Sequence, residues 1–245
     1  MTLAQNSVFL NYHNLGYNPQ FGINKVHPSI FRDHINIVNN AIDSNPELKV
    51  GITFDDGYEG VFDHAFELLS KSSVDSKIVF PITDYIGRYN EWDSTFLLNR
   101  YKHLSNEQIK LMHGAGWEIG SHTKSHRYLG ALNSKEIKLE LRESKDILEQ
   151  LTGDAVNSIA PPFGLLNQRV YDEFVEAGYT RIYVQKHDSA LESESGSIII
   201  RNNIYSIDRN TNIINKLAGS LREKRKEDRI TALNVITRSI NSHTI

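Results

Sequence analysis

Two acids stand side by side in Asp55-Asp56-Gly57, and two histidines spaced four apart follow in Ser121-His122-Thr123-Lys124-Ser125-His126. Adjacent carboxylates repel, which raises the proton affinity of one unless a cation sits beside them. One can then hold a metal while the other handles a proton. Successive side chains of a strand point to opposite faces, but Gly57 permits a sharp turn that brings both acids to one cavity. A strand-ending turn with solvated acids is the plainer alternative for these three residues alone. The H-x-x-x-H spacing suits two imidazoles on one side of a helical turn, both reaching one ion. Two nitrogens from His122 and His126 with one oxygen from Asp56 form a facial set that leaves positions open for water and substrate. Such an open set is catalytic in type rather than structural.

These groups must be carried by elements that end near one another. Short apolar runs at 8–10, 49–54, 77–82, 116–120, 158–160, 181–184 and 197–200 read as strands. Between them lie segments of helical period. The helix beginning at Pro28 takes Ser29 as its N-cap. Ser105 with Gln108 forms a capping box, and Ser134 caps a long helix that Gly153 stops. Strands alternating with helices predict an α/β fold, a distorted (β/α) barrel of about seven parallel strands with outer helices, over one domain spanning 1–245. Parallel α/β folds carry function on the loops after the carboxyl ends of strands. The residues there are Tyr12-His13, Thr53 to Tyr58, Ser121 to His126, and Ala160-Pro161-Pro162-Phe163-Gly164.

Composition narrows the partners. The 245 residues carry 27 basic and 30 acidic side chains, a net charge of −3, which argues against a protein built to coat nucleic acid or an anionic membrane. There is no cysteine, so a metal site has only imidazole and carboxylate to draw on. No apolar run reaches the ~18 residues of a membrane-spanning helix. The first residues lack a basic start and a long apolar stretch, so no signal peptide is read there. A cytoplasmic location is the expectation from that feature alone.

The segments TFDDGY (53–58), SHTKSH (121–126) and APPFG (160–164) resemble, in order and spacing, the first three motifs of the polysaccharide deacetylase family, which carries the NodB homology domain and is also called carbohydrate esterase family four. The resemblance runs over residues 8–207. Tyr12-His13 is similar to the branch acting on the exopolysaccharide poly-N-acetylglucosamine. The resemblance implies a hydrolase that removes N-acetyl groups from a glycan built on N-acetylhexosamine, releasing acetate, with one divalent ion, zinc or else cobalt or nickel. Such a glycan points to the cell envelope or beyond, against the location read from the N-terminus. Asp55 matches the catalytic base. Asp56, His122 and His126 match the metal ligands. Phe163 matches the residue whose backbone N–H faces the developing oxyanion, and Pro161 and Pro162 match the adjoining groove wall.

Two departures qualify the match. The third motif of the family usually begins with the arginine that tethers the catalytic aspartate, and here that position is Ala160. Arg201, at the end of a late strand, is the candidate replacement. The late histidine that serves many members as general acid has no clear counterpart. His13 is the candidate, with His187 as the alternative and His243 too near the terminus. Tyr58 is the expected aromatic groove-liner, and Trp92, in the polar loop from Asp84 to Asp93, a weaker one. The departures leave two rival readings, a degenerate glycan-binding member and a hydrolase of a small acetylated amide or ester.

Overall fold

The computed structural model describes residues 7–17, 23–90, 100–187, 191 and 196–220. Trp92 and His243 fall outside the described residues. In chain order the strands are β1 Ser7–Tyr12, β2 Asn14–Leu15, β3 Lys25–Val26, β4 Lys49–Phe54, β5 Ser76–Val79, β6 Glu118–Ile119, β7 Ser158–Ile159, β8 Leu165–Leu166, β9 Arg181–Val184, β10 Lys186–His187 and β11 Ser197–Asn203. The α-helices are α1 Pro28–Ser44, α2 Glu59–Ser70, α3 Asn106–Gly114, α4 Ser134–Thr152, α5 Gln168–Glu176 and α6 Asn210–Leu217.

Seven strands form one sheet in the order β6-β5-β4-β1-β11-β9-β7, and every pairing is parallel. The two edge strands meet. Just past β6, Ser121 donates its N–H to Ser158 O at 2.9 Å and its carbonyl accepts from Ala160 N at 2.9 Å. That bridge brings the sheet to a nearly closed barrel with helices outside. The α/β barrel expected from the alternating elements is therefore present.

The central strands β1 and β4 bury both faces at their carboxyl ends, as parallel strands under helices do, while β11 leaves Ile200 of its outward face half exposed. Outward residues such as Leu10, Tyr12 and Ile52 join Phe31, Ile35 and Val38 of α1 in the main core. Inward residues form a second, smaller cluster of Phe9, Ile78, Phe80, Ala160, Tyr183 and Ile199 that plugs the barrel. Its large rings need space on neighbouring strands, which glycine supplies. A Cβ on Gly120 would sit 2.3 Å from Phe80 Cε1 and 3.1 Å from Ser158 O. Gly120→Ala is expected to destabilise the fold by about 1–3 kcal/mol, as overpacking does. A shift of the urea midpoint at unchanged slope checks it.

Helix ends follow local chemistry, with two corrections. Ser105 and Asn133 each close a capping box, with Gln108 and Glu136. The cap of α4 is thus Asn133 rather than Ser134. For α1 the cap is His27 rather than Ser29: Pro28 takes the first helical position, and His27 Nδ1 accepts from Ser29 N at 3.2 Å. Gly153 ends α4 in the left-handed conformation, as expected. Lys216 is buried on α6. Its Nζ donates to Asn203 O at 2.6 Å and lies 3.8 Å from Asp208. Among the described residues no helix is long and apolar enough to cross a membrane.

Candidate active site

The carboxyl ends of β1, β4, β6, β7 and β11 bring the candidate residues together at one end of the barrel. Their inward direction follows from the two-residue strand period. On β4 and beyond, Gly51, Thr53 and Asp55 face the barrel axis. On β11 Ile199, Arg201 and Asn203 do so, and on β1 Phe9 and Asn11. Asp55 extends the β1–β4 ladder by one bond, its N–H donating to Tyr12 O at 3.0 Å.

Asp55 is 2 % exposed and Arg201 1 %. The guanidinium meets the carboxylate in a two-pronged pair, Nη1 to Oδ1 at 2.7 Å and Nη2 to Oδ2 at 2.9 Å. Asn11 Nδ2 adds a third bond to Oδ2 at 2.9 Å. The same Asn11 accepts through Oδ1 from Arg201 Nη1 at 2.8 Å and from Thr53 Oγ1 at 2.7 Å. Burial pushes the Asp55 carboxyl up, but Arg201, His122 and His13 outweigh it and hold Asp55 below the ordinary aspartate range. Sequence reasoning did not single out Asn11. Its signal was a polar residue at an inward position of an otherwise apolar strand, which must find partners there.

By strand alternation Asp56 would point away from this cavity. Instead it takes φ +67°, and Gly57 donates its N–H to Asp55 O at 2.9 Å. This is a γ-turn with positive φ at its centre, a rare and strained shape. It turns the Asp56 side chain back toward His122 and His126. Gly57 alone was expected to make this turn; Asp56 itself shares it.

Residues 122–126 form a loop, not the helical turn read from their spacing. Thr123 and His126 are left-handed, at φ +67° and +63°. Glu140 on α4 explains why the loop leaves the helical path: its Oε2 accepts from Lys124 N at 3.1 Å and Ser125 N at 2.9 Å, and its Oε1 from Ser125 Oγ at 2.5 Å. Among the described residues, the non-glycine positions with positive φ are Asp56, Thr123, His126 and Phe163, all in these loops. Strained backbone held in place by surrounding bonds clusters at functional sites.

Asp56, His122 and His126 form a buried group able to hold a metal ion. Oδ1 of Asp56 lies 3.3 Å from His122 Nε2 and 3.4 Å from His126 Nε2, yet makes no hydrogen bond with either. Three donor atoms that face one another without bonding fit a shared cation. The edge of a tetrahedron with bonds of ~2.0–2.2 Å is about 3.4 Å. His122 Nδ1 donates to Ala160 O at 2.7 Å, which leaves Nε2 with its lone pair toward the group. Burial raises the Asp56 carboxyl, but the two imidazoles outweigh it and hold it well below the ordinary range. His122 is lowered by burial and raised more by the two carboxylates and the Ala160 carbonyl, while burial keeps His126 down.

The remaining candidates are placed as follows. His13, just past β1, lies within electrostatic reach of both Asp55 and Asp56, and its buried Nδ1 has no hydrogen-bond partner among the described residues. His187 lies on β10, paired with Leu166 of β8 just after the Pro162–Gly164 turn. Phe163 is left-handed, its ring 5.3 Å from His126 and 5.9 Å from Tyr128, and Pro162 before it is buried. Tyr58 departs from expectation. It is 2 % exposed with its ring tilted against His103 at 4.6 Å, so it is buried and offers no open face to a sugar.

A family model described as polysaccharide deacetylase matches residues 43–182. Among relatives, the chain is 28% identical over 118 residues to the peptidoglycan-N-acetylglucosamine deacetylase of Bacillus cereus, covering 48% of this chain and 37% of that protein. It is 28% identical over 142 residues to the poly-beta-1,6-N-acetyl-D-glucosamine N-deacetylase of Staphylococcus aureus, covering 54% and 46%. The match therefore spans less than half the length of each of these relatives. Among solved structures, a polysaccharide deacetylase from Bacillus cereus superposes with TM-score 0.69 at 22% identity, covering 87% of this chain and 69% of that one. At that identity the likeness speaks for the fold alone.

Proposed function

Because the chain belongs to the polysaccharide deacetylase family, we propose that it is a metal-dependent hydrolase that removes N-acetyl groups from an N-acetylhexosamine-containing polysaccharide or oligosaccharide. The observation carrying this reading is the pairing of two arrangements in one buried cavity. Asp56, His122 and His126 converge without bonding one another, and beside them Asp55 is held by Arg201.

Amides are poor electrophiles, so their hydrolysis needs an activated water and a stabilised oxyanion. Asp56, His122 and His126 would hold the ion, zinc in the first instance with cobalt or nickel as substitutes. The chemistry a bound divalent ion supplies there is Lewis acidity, worth several kcal/mol of charge stabilisation. Asp55 takes the proton of the attacking water. A carboxylate offers about four lone-pair positions; Arg201 and Asn11 occupy three, which fixes the orientation of the fourth for that proton. The backbone N–H of Phe163 donates to the oxyanion, a contribution of roughly 3–4 kcal/mol for a well-placed donor. His13 delivers a proton to the departing sugar amine. Water and the acetamide thus become acetate and a free amine.

The degenerate alternative drew its motive from Ala160 and from the lack of a clear general acid. Arg201 supplies a guanidinium to Asp55 at 2.7 and 2.9 Å, so Ala160 no longer argues against turnover. The test is acetate release from chito-oligosaccharides and from β-1,6-linked N-acetylglucosamine oligomers by zinc- or cobalt-loaded protein. Release that a chelator abolishes and added metal restores is the expected result. Metal-loaded protein that binds these glycans yet frees no acetate sinks the reading.

A further inference from the structure

The γ-turn at Asp56 points the main-chain carbonyl of a metal-ligand residue away from the ladder, where it needs a donor. Residues 102–104 supply one. They run antiparallel beside 57–59, with Glu59 N donating to Lys102 O and Leu104 N donating to Gly57 O, each at 2.8 Å. Between these bonds His103 reaches in, and its Nδ1 lies 2.9 Å from Asp56 O. A carbonyl only accepts, so Nδ1 carries the proton. The segment is anchored in turn, His103 N donating to Arg88 O at 2.8 Å. The ring is 1 % exposed and packs against Tyr58 at 4.6 Å and Tyr85 at 5.3 Å, tilted 32° from each. Its Nε2 is buried and bonded to nothing among the described residues. A buried imidazole with one satisfied nitrogen and one idle one is an expensive way to fill space, and an aromatic hydrocarbon would pack there without the idle atom. The single bond to Asp56 O is the feature that such a ring could not reproduce.

We propose that His103 is a positioning residue of the metal site: its Nδ1–H clamps the carbonyl of Asp56 and so fixes the left-handed turn that aims the Asp56 carboxylate at His122 and His126. The inference rests on the metal-site reading above and extends it to a residue that touches neither ion nor substrate. Outer partners of metal ligands typically set affinity by about 10–100-fold. The tyrosine-lined slot explains why the donor is an imidazole: it combines a flat ring with an N–H on the edge facing the turn.

The experiment measures divalent-ion affinity by competition with a chromogenic chelator, and the visible spectrum of the cobalt(II) protein, for wild type, His103→Phe and His103→Asn. Phenylalanine keeps the ring and removes the donor. Asparagine loses the ring but places an amide N–H near the Nδ1 position. His103→Phe is expected to bind zinc about 10–100-fold more weakly with an altered cobalt spectrum, and His103→Asn to recover most of the affinity. Phenylalanine binding as tightly as wild type overturns the proposal, as does equal weakening in both variants. Nitrogen-15 NMR of the wild-type imidazole gives a reading that needs no variant to fold. A proton on Nδ1, kept after zinc is added, supports the clamp, and a proton on Nε2 overturns it. No glycan enters these measurements. Wild-type protein that binds ions but frees no acetate sinks the proposed function and leaves the clamp standing.

Discussion

Asp55→Asn is expected to lower kcat by about 10²–10⁴-fold, the usual contribution of a positioned general base, while KM and bound metal stay close to wild type. Asparagine has nearly the shape of aspartate but cannot take up the water's proton. The loss falls on kcat because proton transfer is felt only in the transition state. At 1.36 kcal/mol per tenfold it corresponds to about 3–5 kcal/mol. The substitution also leaves the Arg201 charge, 1 % exposed, without its counter-charge. Kinetics must therefore be read on protein shown to be folded by circular dichroism and loaded with metal by elemental analysis. A folded, loaded variant that keeps kcat within tenfold of wild type removes Asp55 from the role of base.

Arg201→Met should produce a double effect, on stability and on pH dependence. Removing one partner of a buried pair strands the other charge, a change that typically costs about 3–5 kcal/mol. Here the stranded group is Asp55, which keeps only the Asn11 bond of its three. Burial then acts on Asp55 without its main counterweight, and its proton affinity rises. In wild type the carboxyl lies below the ordinary value near ~3.9. The stability this shift contributes is present above the unfolded pKa and is lost as pH falls through the lower folded one. The gap in unfolding free energy between wild type and Arg201→Met is therefore expected to be widest near neutrality and to narrow as the medium is acidified toward pH ~3. The acidic limb of the kcat/KM profile, which reports the free enzyme's base, should move upward in the variant. Arg201→Lys retains the charge without the two-pronged geometry and is expected to recover part of both effects. An acidic limb in the same place for wild type and Arg201→Met would show that Arg201 does not tune Asp55.

Much of this site could be read along the chain. Gly57 after the two acids already suggested a turn that brings both to one cavity, and the positions of TFDDGY, SHTKSH and APPFG after expected strands gathered them at one end of a barrel. Other features needed the fold. The histidine spacing suggested a helical turn, and the loop instead follows Glu140, whose carboxylate captures Lys124 N and Ser125 N. Tyr58 read as a groove-lining aromatic because it follows the strand-end acids at the site. The 102–104 segment covers it and brings His103 against it. His103 gave no signal in RYKHLS, since nothing local marks a histidine as the partner of a carbonyl 47 positions earlier.

The sequence by itself pointed to the parallel barrel and to the acids and imidazoles after its strand ends, because hydrophobic period and turn chemistry act over a few residues. Tertiary structure decided which strands are neighbours, and with them that Arg201 meets Asp55 across 146 positions where Ala160 leaves the familiar tether absent. Strand period specifies the side a residue faces but not the strand beside it. That choice is made by the packing of the whole barrel, and the charge on Asp55 depends on it.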